Sequence, residues 1–337
     1  MTIAVPVAFS QARDLMMPSM REAVDRLSPN IRRVVAYHLG WIDADGRDVT
    51  EPGGKAVRPA LAYACAEAVG AAPETATPGA VAVELVHNFS LLHDDVMDRD
   101  TERRHRPTAW TLMGEGEAIL AGDALLALAQ ERLIDPPTPE RLRAAAALSE
   151  ATADMITGQA QDLSFERRDD VGFEECVAML SNKTAALLAC SCKLGAILGG
   201  GSMESVEALG SFGRSLGIAF QAVDDILGIW GRPEVTGKPA HSDLRQRKKS
   251  LPVVAALGAG GSAAEDIRRM LTSEGELDEE ALARAAKLVE DNGGRSRAQE
   301  VASEALGHAL ASLDALPPER SRDSLLAISN FITTREF

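Results

Sequence analysis

Two pairs of adjacent aspartates, each inside an apolar run with helical spacing, constrain this chain more than any other feature. They lie in residues 91–98 (LLHDDVMD) and residues 220–228 (FQAVDDILG). An ionised carboxylate is not buried without a partner. Because nothing nearby in the sequence neutralises either pair, two such helices facing each other predict a pocket lined with oxygen ligands. A hard divalent cation suits such a pocket, and Mg²⁺ usually binds substrate phosphates together with carboxylates.

The first run shows how a helix would arrange these groups. At 100° per residue, Asp94 and Asp98 lie one turn apart on one face. Ser90 and His87 follow on the same stripe towards the N-terminus, and Asp95 lies to one side. The alternative is an exposed acidic patch at a helix end. The apolar surroundings of both pairs, and the matching cations elsewhere in the chain, argue against it.

Composition favours helices packed on helices. Hydrophobic residues make up 45% of the 337 residues, whereas aromatic residues make up only 4%. A chain rich in Ala and Leu favours helix–helix packing over sheets, and no alternating segment predicts a strand. We therefore expect one all-α domain spanning residues 1–337, with about a dozen helices.

Net charge and cysteines limit the partners and the compartment. A formal net charge of −15 argues against a nucleic-acid partner. No signal peptide is indicated, and no apolar run reaches the roughly 18 residues of a membrane span. The cysteines show no metal-ligand spacing, and we expect them to be reduced in a cytoplasmic protein. They are Cys65, Cys176, Cys190 and Cys192.

Three basic segments supply candidate cations. Lys55 and Arg58 follow a glycine pair that allows close backbone approach, an arrangement that suits a phosphate. Residues 99–106 (RDTERRHR) directly follow the first carboxylates, and residues 245–249 (RQRKK) follow the second pair. Taken alone, each segment also fits a solvated loop with balanced charge.

Together these motifs resemble the trans-isoprenyl diphosphate synthases, the head-to-tail polyprenyl synthases. The resemblance runs from Gly53 to the last predicted helix, and the order and separation of the motifs make it specific. It implies an all-α bundle of the isoprenoid synthase type around a central cavity. The motifs are Gly54-Lys55-x-x-Arg58-Pro59, His87, Asp94-Asp95-x-x-Asp98 with Arg103-Arg104, Gln159-x-x-Asp162, Lys183-Thr184, Phe220-Gln221-x-x-Asp224-Asp225 and Gly237-Lys238.

The resemblance also implies two diphosphate sites and more than one Mg²⁺. The residues implied as metal ligands are Asp94, Asp98 and Asp224, with Asp95 and Asp225 less directly involved. Those implied to hold the allylic diphosphate are Arg103, Lys183 and Lys238. Those implied to hold isopentenyl diphosphate are Lys55, Arg58, His87 and Arg104. Those implied to lie near the reacting carbons are Thr184 and Gln221.

The implied reaction is a condensation through an allylic cation. The allylic C–O bond ionises, and metal ions with cationic side chains stabilise the charge on the departing diphosphate. The double bond of isopentenyl diphosphate attacks the cation, and a proton is then lost to the departing diphosphate. Water must be excluded, since it would quench the cation.

One position departs from the family pattern. The second motif usually has a third aspartate one turn after Asp224, but this chain has Gly228 there. The site thus loses an oxygen ligand or acceptor, which bears on metal affinity and leaves a variant reaction open.

In the family, the residues four and five positions before the first aspartate limit the length of the product. Here these residues are Ser90 and Phe89. Ser90 is small and lies directly below Asp94, whereas Phe89 points to the side. One bulky and one small residue indicate a C20 product, as in a geranylgeranyl diphosphate synthase.

Two other functions remain open at this stage. A class I terpene cyclase on the same fold would not need the second diphosphate site. A non-catalytic regulatory subunit of a prenyl synthase would be free to lose acidic motifs, yet the first motif here is whole. The Ala-rich helical faces also lead us to expect a homodimer.

Overall fold

The structure, a computed structural model, describes residues 6–49, 54–233, 239–273, 275–317 and 319–334, and it confirms the all-α prediction. The helices are α1 (Val7–Asp25), α2 (Pro29–His38), α3 (Val57–Ala68), α4 (Thr77–Met97), α5 (Ala109–Met113), α6 (Glu115–Ile134), α7 (Pro139–Phe165), α8 (Phe173–Leu180), α9 (Ala186–Leu198), α10 (Met203–Trp230), α11 (Ser242–Arg245), α12 (Leu251–Gly258), α13 (Gly261–Thr272), α14 (Glu279–Asp291), α15 (Gly294–Ser312) and α16 (Asp323–Thr333). Short 3₁₀ helices cover Pro73–Ala76 and Leu313–Ala315, and a π-helical turn, Ser181–Ala185, joins α8 to α9.

A small β-ribbon contradicts the expectation that no segment forms a strand. β1 (Glu102–Arg103) pairs antiparallel with β2 (Arg106–Pro107). The two residues between them, Arg104 and His105, both have positive φ, +53° and +60°. A two-residue turn with positive φ at both positions matches the twist of a ribbon. The pattern was missed because a two-residue strand is too short to show alternation.

Helix α9 lies at the centre of the bundle because it is apolar on all sides. Every residue from Ala186 to Ile197 is buried except Lys193, which is the pattern of a helix enclosed by others. It packs against α3, α4, α7 and α10. Gly195 allows the approach of α3, since a Cβ atom there would overlap the backbone carbonyl of Ala62.

The two acidic helices flank this central helix. Both α4 and α10 pack against α9, and each carries its aspartate pair near its C-terminal end. Negative side chains are unfavourable at that end of a helix because its free carbonyls already carry partial negative charge. Both pairs therefore need cations from neighbouring segments. No helix within the described ranges is long and apolar enough to cross a membrane.

Candidate active site

The aspartates of α4 differ in their surroundings. Asp94 is half-buried and Asp98 is exposed, whereas Asp95 is only 1% exposed. Arg103 of the ribbon donates from Nε to Oδ1 of Asp95 at 2.6 Å, and its Nη2 lies 2.6 Å from the same oxygen in an ion pair. Oδ2 of Asp95 is buried and has no hydrogen-bond partner among the described residues. Asp95 is thus tied to the protein, while Asp94 and Asp98 remain at the site.

The charge around Asp94 calls for a cation. Burial raises the pKa of Asp94 to about 6; the charges of Lys183 and Arg103 oppose this shift, and those of Asp98 and Asp162 add to it. Partial desolvation of its carboxyl group likewise raises the pKa of Asp98, and the charge of Asp162 adds to the shift. Carboxylates from α4 and α7 therefore influence one another across the same space.

A π-helical turn brings Lys183 and Thr184 to this space. Lys183 forms an ion pair with Asp162 of α7. The approach of the two segments depends on Gly158, where a Cβ atom would overlap the backbone of Lys183. Thr184 Oγ1 donates to Gln221 Oε1 at 2.8 Å, which links the turn to α10. Single π-helical turns inside α-helices are frequent at functional sites.

In the second pair, too, the second aspartate is the buried one. Asp225 is 1% exposed, and it accepts from the backbone N–H of Leu251 and from Gln221 Nε2, both at 2.9 Å. Lys248 Nζ lies 4.0 Å from its Oδ1. Asp224 is half-buried.

Lys248 is a cation of this site that the sequence motifs did not single out. Burial would lower the pKa of Lys248, but the charges of Asp225, Asp243, Asp162 and Asp224 raise it. The basic run 245–249 was the available indication. Which of its members faces the carboxylates depends on how the segment folds back, which the sequence does not reveal.

A second group of cations contains Arg58, which is half-buried, and Arg104, which is exposed. Burial lowers the pKa of Arg58 to about 10, and Glu84 opposes the shift. Partial desolvation of its guanidinium also lowers the pKa of Arg104, again opposed by Glu84. The guanidinium of Arg104 lies beside Gly54, 3.5 Å from where a Cβ atom would be. Two arginines thus share one nearby carboxylate, which leaves net positive charge for an anion.

His87 belongs to this group, whereas the contact observed for Lys55 is with the last helix. Burial lowers the pKa of His87 well below its usual value, and Arg58, Arg104, His38 and Arg103 add to the shift. His87 is therefore neutral at pH 7. Lys55 Nζ lies 5.3 Å from the centre of the Phe331 ring of α16.

Sequence reasoning did not find two contributors to this group. The first is Glu84, whose backbone carbonyl accepts a hydrogen bond from Nδ2 of Asn88, one turn later. The second is Arg13 of α1, which donates to the carbonyl of Gly54 at 2.5 Å. The spacing Glu84–His87 on one helix was available as an indication. Nothing in the sequence pointed to Arg13, which comes from a distant helix.

Ser90 and Phe89, which were predicted to limit product length, have different surroundings on α4. Ser90 is half-buried, and its Oγ donates to the carbonyl of His87 at 2.8 Å. Phe89 is 7% exposed and stacks edge-on against His93, with ring centres 4.8 Å apart. His93 Nε2 lies 3.0 Å from the carbonyl of Ile119 and fills the space above Gly122 of α6. Phe89 is therefore packed towards α6.

Lys238, predicted to hold the allylic diphosphate, lies outside the described residues. Within those ranges, no three His, Cys, Asp or Glu side chains come close enough to form a metal site by themselves. Mg²⁺ needs no such cage, since it binds through one or two carboxylates plus waters and substrate phosphates. The half-buried carboxylate of Asp94, whose ionised form burial disfavours, fits that chemistry.

Comparison with known proteins agrees with the fold. Residues 40–289 match the polyprenyl synthetase family. A (2E,6E)-farnesyl diphosphate synthase of Mycobacterium tuberculosis (strain ATCC 25618 / H37Rv) is 49% identical over 96% of this chain and 92% of its own. A geranylgeranyl diphosphate synthase of the same strain is 42% identical over 95% and 91%. The crystal structure of a polyprenyl synthetase from Streptomyces coelicolor A3(2) has a TM-score of 0.94 and 52% identity, and the match covers 98% of this chain and 100% of that one.

An all-α bundle with two carboxylate pairs beside half-buried arginines and lysines has the architecture of an isoprenoid synthase. The chain belongs to the polyprenyl synthetase family, and it is a prenyltransferase of isoprenoid biosynthesis.

Proposed function

We propose that the protein condenses an allylic diphosphate with isopentenyl diphosphate. The observation that carries this proposal is that two adjacent arginines contact different groups. Arg103 turns to Asp95 and the carboxylates, whereas Arg104 turns to Gly54 and Glu84. Two anionic substrates must lie close together without sharing one cation set. The terpene cyclase alternative has no use for the second set.

In this proposal Asp94, Asp98 and Asp224 hold Mg²⁺, and Asp95 and Asp225 anchor the two acidic helices. Bound Mg²⁺ would neutralise charge on the diphosphate leaving group. Arg103, Lys183 and Lys238 hold that diphosphate.

Two further sets of side chains complete the assignment. The isopentenyl diphosphate is held by Lys55, Arg58, His87 and Arg104. Thr184 and Gln221, which are hydrogen-bonded to each other, face the reacting carbons and hold them away from water.

We infer a C20 product from Ser90, which leaves the stripe below Asp94 free of bulk while Phe89 packs aside against His93. A C15 product is the second candidate, since a relative at 49% identity carries the name farnesyl diphosphate synthase. The two products differ by one isopentenyl unit, so the distinction rests on the depth of the space below Ser90.

We also propose a homodimer formed through α5, α6 and α7. Several large apolar side chains on these helices are exposed in the described part of the chain. A second copy is the partner that we expect to cover them, because these helices are neighbours in the fold and exposed apolar side chains gathered on one side indicate an interface. They are Leu112, Ile119, Leu120, Ile134, Leu142 and Ile156. Light scattering on the protein as it elutes from a size-exclusion column should give twice the mass of one chain. The mass of a monomer would contradict the proposed homodimer.

The test is an incubation of the purified protein with Mg²⁺, isopentenyl diphosphate and, in separate reactions, C5, C10 and C15 allylic diphosphates. A C20 diphosphate supports the whole proposal, and a C15 diphosphate keeps the reaction but removes the argument from Ser90. A cyclic hydrocarbon formed without isopentenyl diphosphate would replace the proposal with the cyclase. Absence of turnover with every primer would favour the regulatory subunit.

A further inference from the structure

The hydroxyl of Thr184 donates to another helix instead of to its own. A threonine inside a helix commonly donates to the carbonyl four residues earlier, as Thr152 of α7 does to Leu148 at 2.7 Å. Thr184 Oγ1 donates instead to Oε1 of Gln221 on α10 at 2.8 Å. The direction of its O–H bond is therefore set by α10.

A glycine builds this hydrogen bond into the packing of the two segments. Gly217 lies one turn before Gln221 on α10, and a Cβ atom there would be 2.5 Å from Cα of Ala185. Any larger residue would push α10 away from the π-helical turn that contains Thr184. The close approach keeps Thr184 within hydrogen-bond distance of Gln221.

Asp225 determines which way round the amide of Gln221 lies. Gln221 Nε2 donates to Oδ1 of Asp225 at 2.9 Å. The other oxygen of Asp225 accepts from the backbone N–H of Leu251, also at 2.9 Å, and the residue is 1% exposed. A carboxylate accepts hydrogen bonds and does not donate them. The amide must therefore present its nitrogen to Asp225 and its oxygen to Thr184, which leaves the hydroxyl of Thr184 to donate.

We propose that Asp225 is a positioning residue that acts through Gln221 to aim the oxygen lone pairs of Thr184 at the allylic cation. This inference rests on the proposed function, which places Thr184 beside the reacting carbons. Because the hydrogen of the hydroxyl is directed to Gln221, the rest of the oxygen presents its lone pairs. A cation is stabilised by the negative end of a fixed dipole and repelled by the positive end. No proton is transferred in this role.

The substitution Asp225→Asn would reverse the direction of both hydrogen bonds. The new oxygen would keep the bond from the N–H of Leu251, so the new amide nitrogen would face Gln221. Gln221 would then turn its own oxygen towards that nitrogen and donate from Nε2 to Thr184. The hydroxyl hydrogen of Thr184 would no longer have its acceptor and would point at the cation. The reaction should slow although every group beside the reacting carbons is still present.

A purely structural role of Asp225 predicts a different pattern. If Asp225 only holds Lys248 and the end of α10, its loss should add to the loss of the Thr184 hydroxyl. If Asp225 acts through Thr184, its substitution has nothing left to disturb once the hydroxyl is gone. A double-mutant cycle separates these cases, because it measures whether two substitutions act independently.

The experiment compares steady-state rates of Asp225→Asn, Thr184→Val and the double variant with those of the unchanged protein. Each reaction contains Mg²⁺, isopentenyl diphosphate and the allylic primer that the protein uses. We expect each single substitution to lower kcat about 10²-fold, and the double variant to lose about 10²-fold as well. KM for both substrates should stay within about threefold, since neither diphosphate loses a contact. A loss of about 10⁴-fold in the double variant overturns the proposal.

The matched control removes the same charge beside the same turn. Asp154 of α7 lies 3.4 Å from Arg214, which donates to Ser181 at the start of the turn at 3.0 Å. Asp154→Asn leaves Thr184 and its acceptor untouched, so kcat should stay within about twofold of the original. Melting temperatures of all variants verify that they are folded.

A rescue makes the test specific. Asp225→Asn combined with Gln221→Glu places the carboxylate in the middle of the chain of hydrogen bonds, where it accepts from Thr184 and from the new amide. The original direction of the hydroxyl returns, so we expect kcat within about tenfold of the unchanged protein. This variant also decides the question if Asp225→Asn alone does not fold. A folded double variant whose kcat is still about 10²-fold low overturns the proposal.

The outcomes separate this inference from the proposed function. If the unchanged protein forms a prenyl product and the two losses add, only the role of Asp225 fails. A cyclase would also form an allylic cation, so the same cycle measured on its product decides the role of Asp225 even though the proposed condensation fails. Absence of turnover with every primer overturns both.

Discussion

The two acidic regions solve the same electrostatic problem in different ways. In each, the second aspartate of the pair is buried and held by the protein, while the first stays half-buried. On α4, the holding cation is Arg103, eight residues after Asp95. On α10, Gln221 of the same helix donates to Asp225, but the nearby cation Lys248 and the N–H of Leu251 come from more than twenty residues further along the chain.

The difference shows how much of each site is local. The α4 group is assembled from one helix and the ribbon that follows it. The α10 group needs a segment that folds back over the end of its helix. The first group should therefore tolerate changes elsewhere in the fold better than the second.

The largest expected effect tests whether the first aspartate of a pair is the functional one. We expect Asp94→Ala to lower kcat about 10³-fold, because the charge on the leaving group loses its metal ligand. The melting temperature should not fall. Asp14→Ala, an exposed aspartate of α1, is the control and should leave both unchanged. Near-normal kcat in Asp94→Ala would contradict the assignment.

The adjacent lysines 248 and 249 offer a sharper comparison, with a somewhat smaller effect. Lys248→Met leaves Asp225 without its cation, and we expect kcat to fall about 10²-fold. Lys249 donates instead to the carbonyls of Phe165 and Arg168 at the end of α7. Lys249→Met should lower the melting temperature with little change in kcat.

Steady-state rates and thermal melts of both variants, measured side by side, check this prediction. An equal loss of kcat in the two would mean that the segment acts as a unit, and that Lys248 has no separate role.

The third prediction concerns the residue four positions before the first aspartate in each region. It is Ser90 on α4 and Phe220 on α10. Placing equal bulk on α4 through Ser90→Phe should shorten the product, because the ring would fill the stripe below Asp94. Ser90→Ala is the size-matched control and should keep the product length. Chromatography of the dephosphorylated alcohols measures the outcome, and an unchanged distribution in Ser90→Phe would remove the tunnel argument.

The smallest effect is a pH dependence of the metal-free protein. Asp94 has a pKa of about 6 when folded and near 3.9 when unfolded. Between these two pH values the folded protein binds more protons than the unfolded chain. The free energy of unfolding therefore falls as the pH rises through 6, because Asp94 must ionise where it is partly buried. Asp94→Asn should therefore raise the free energy of unfolding on the order of 1 kcal/mol at pH 7.5, allowing for partial exposure.

The same variant should show no gain at pH 4, where Asp94 is protonated in the folded protein and ionises only in part when unfolded. Denaturant titrations in chelator at both pH values measure this. A gain that is equal at pH 4 and pH 7.5 would mean that the charge of Asp94 is not the cause.

The sequence predicted the helices well because their signals are local. The spacing of apolar residues indicated α4 and α10. It did not indicate the two-residue strands of the ribbon, whose turn depends on positive φ at Arg104 and His105. The motif residues were identifiable by type and order, but their partners were not. The sequence does not show which residues become their partners, because these contacts form only when separate segments meet in the tertiary structure. The partners include Arg13, Glu84 and Lys248.

What the sequence by itself determined is the all-α class and the family, since both follow from periodicity and from motifs that keep their order along the chain. Only the tertiary structure decided which aspartate of each pair is buried and which of two neighbouring lysines faces the carboxylates. The physical reason is that electrostatic interactions depend on distance in space. The contacts that satisfy a buried charge join residues whose separation along the chain carries no information about that distance.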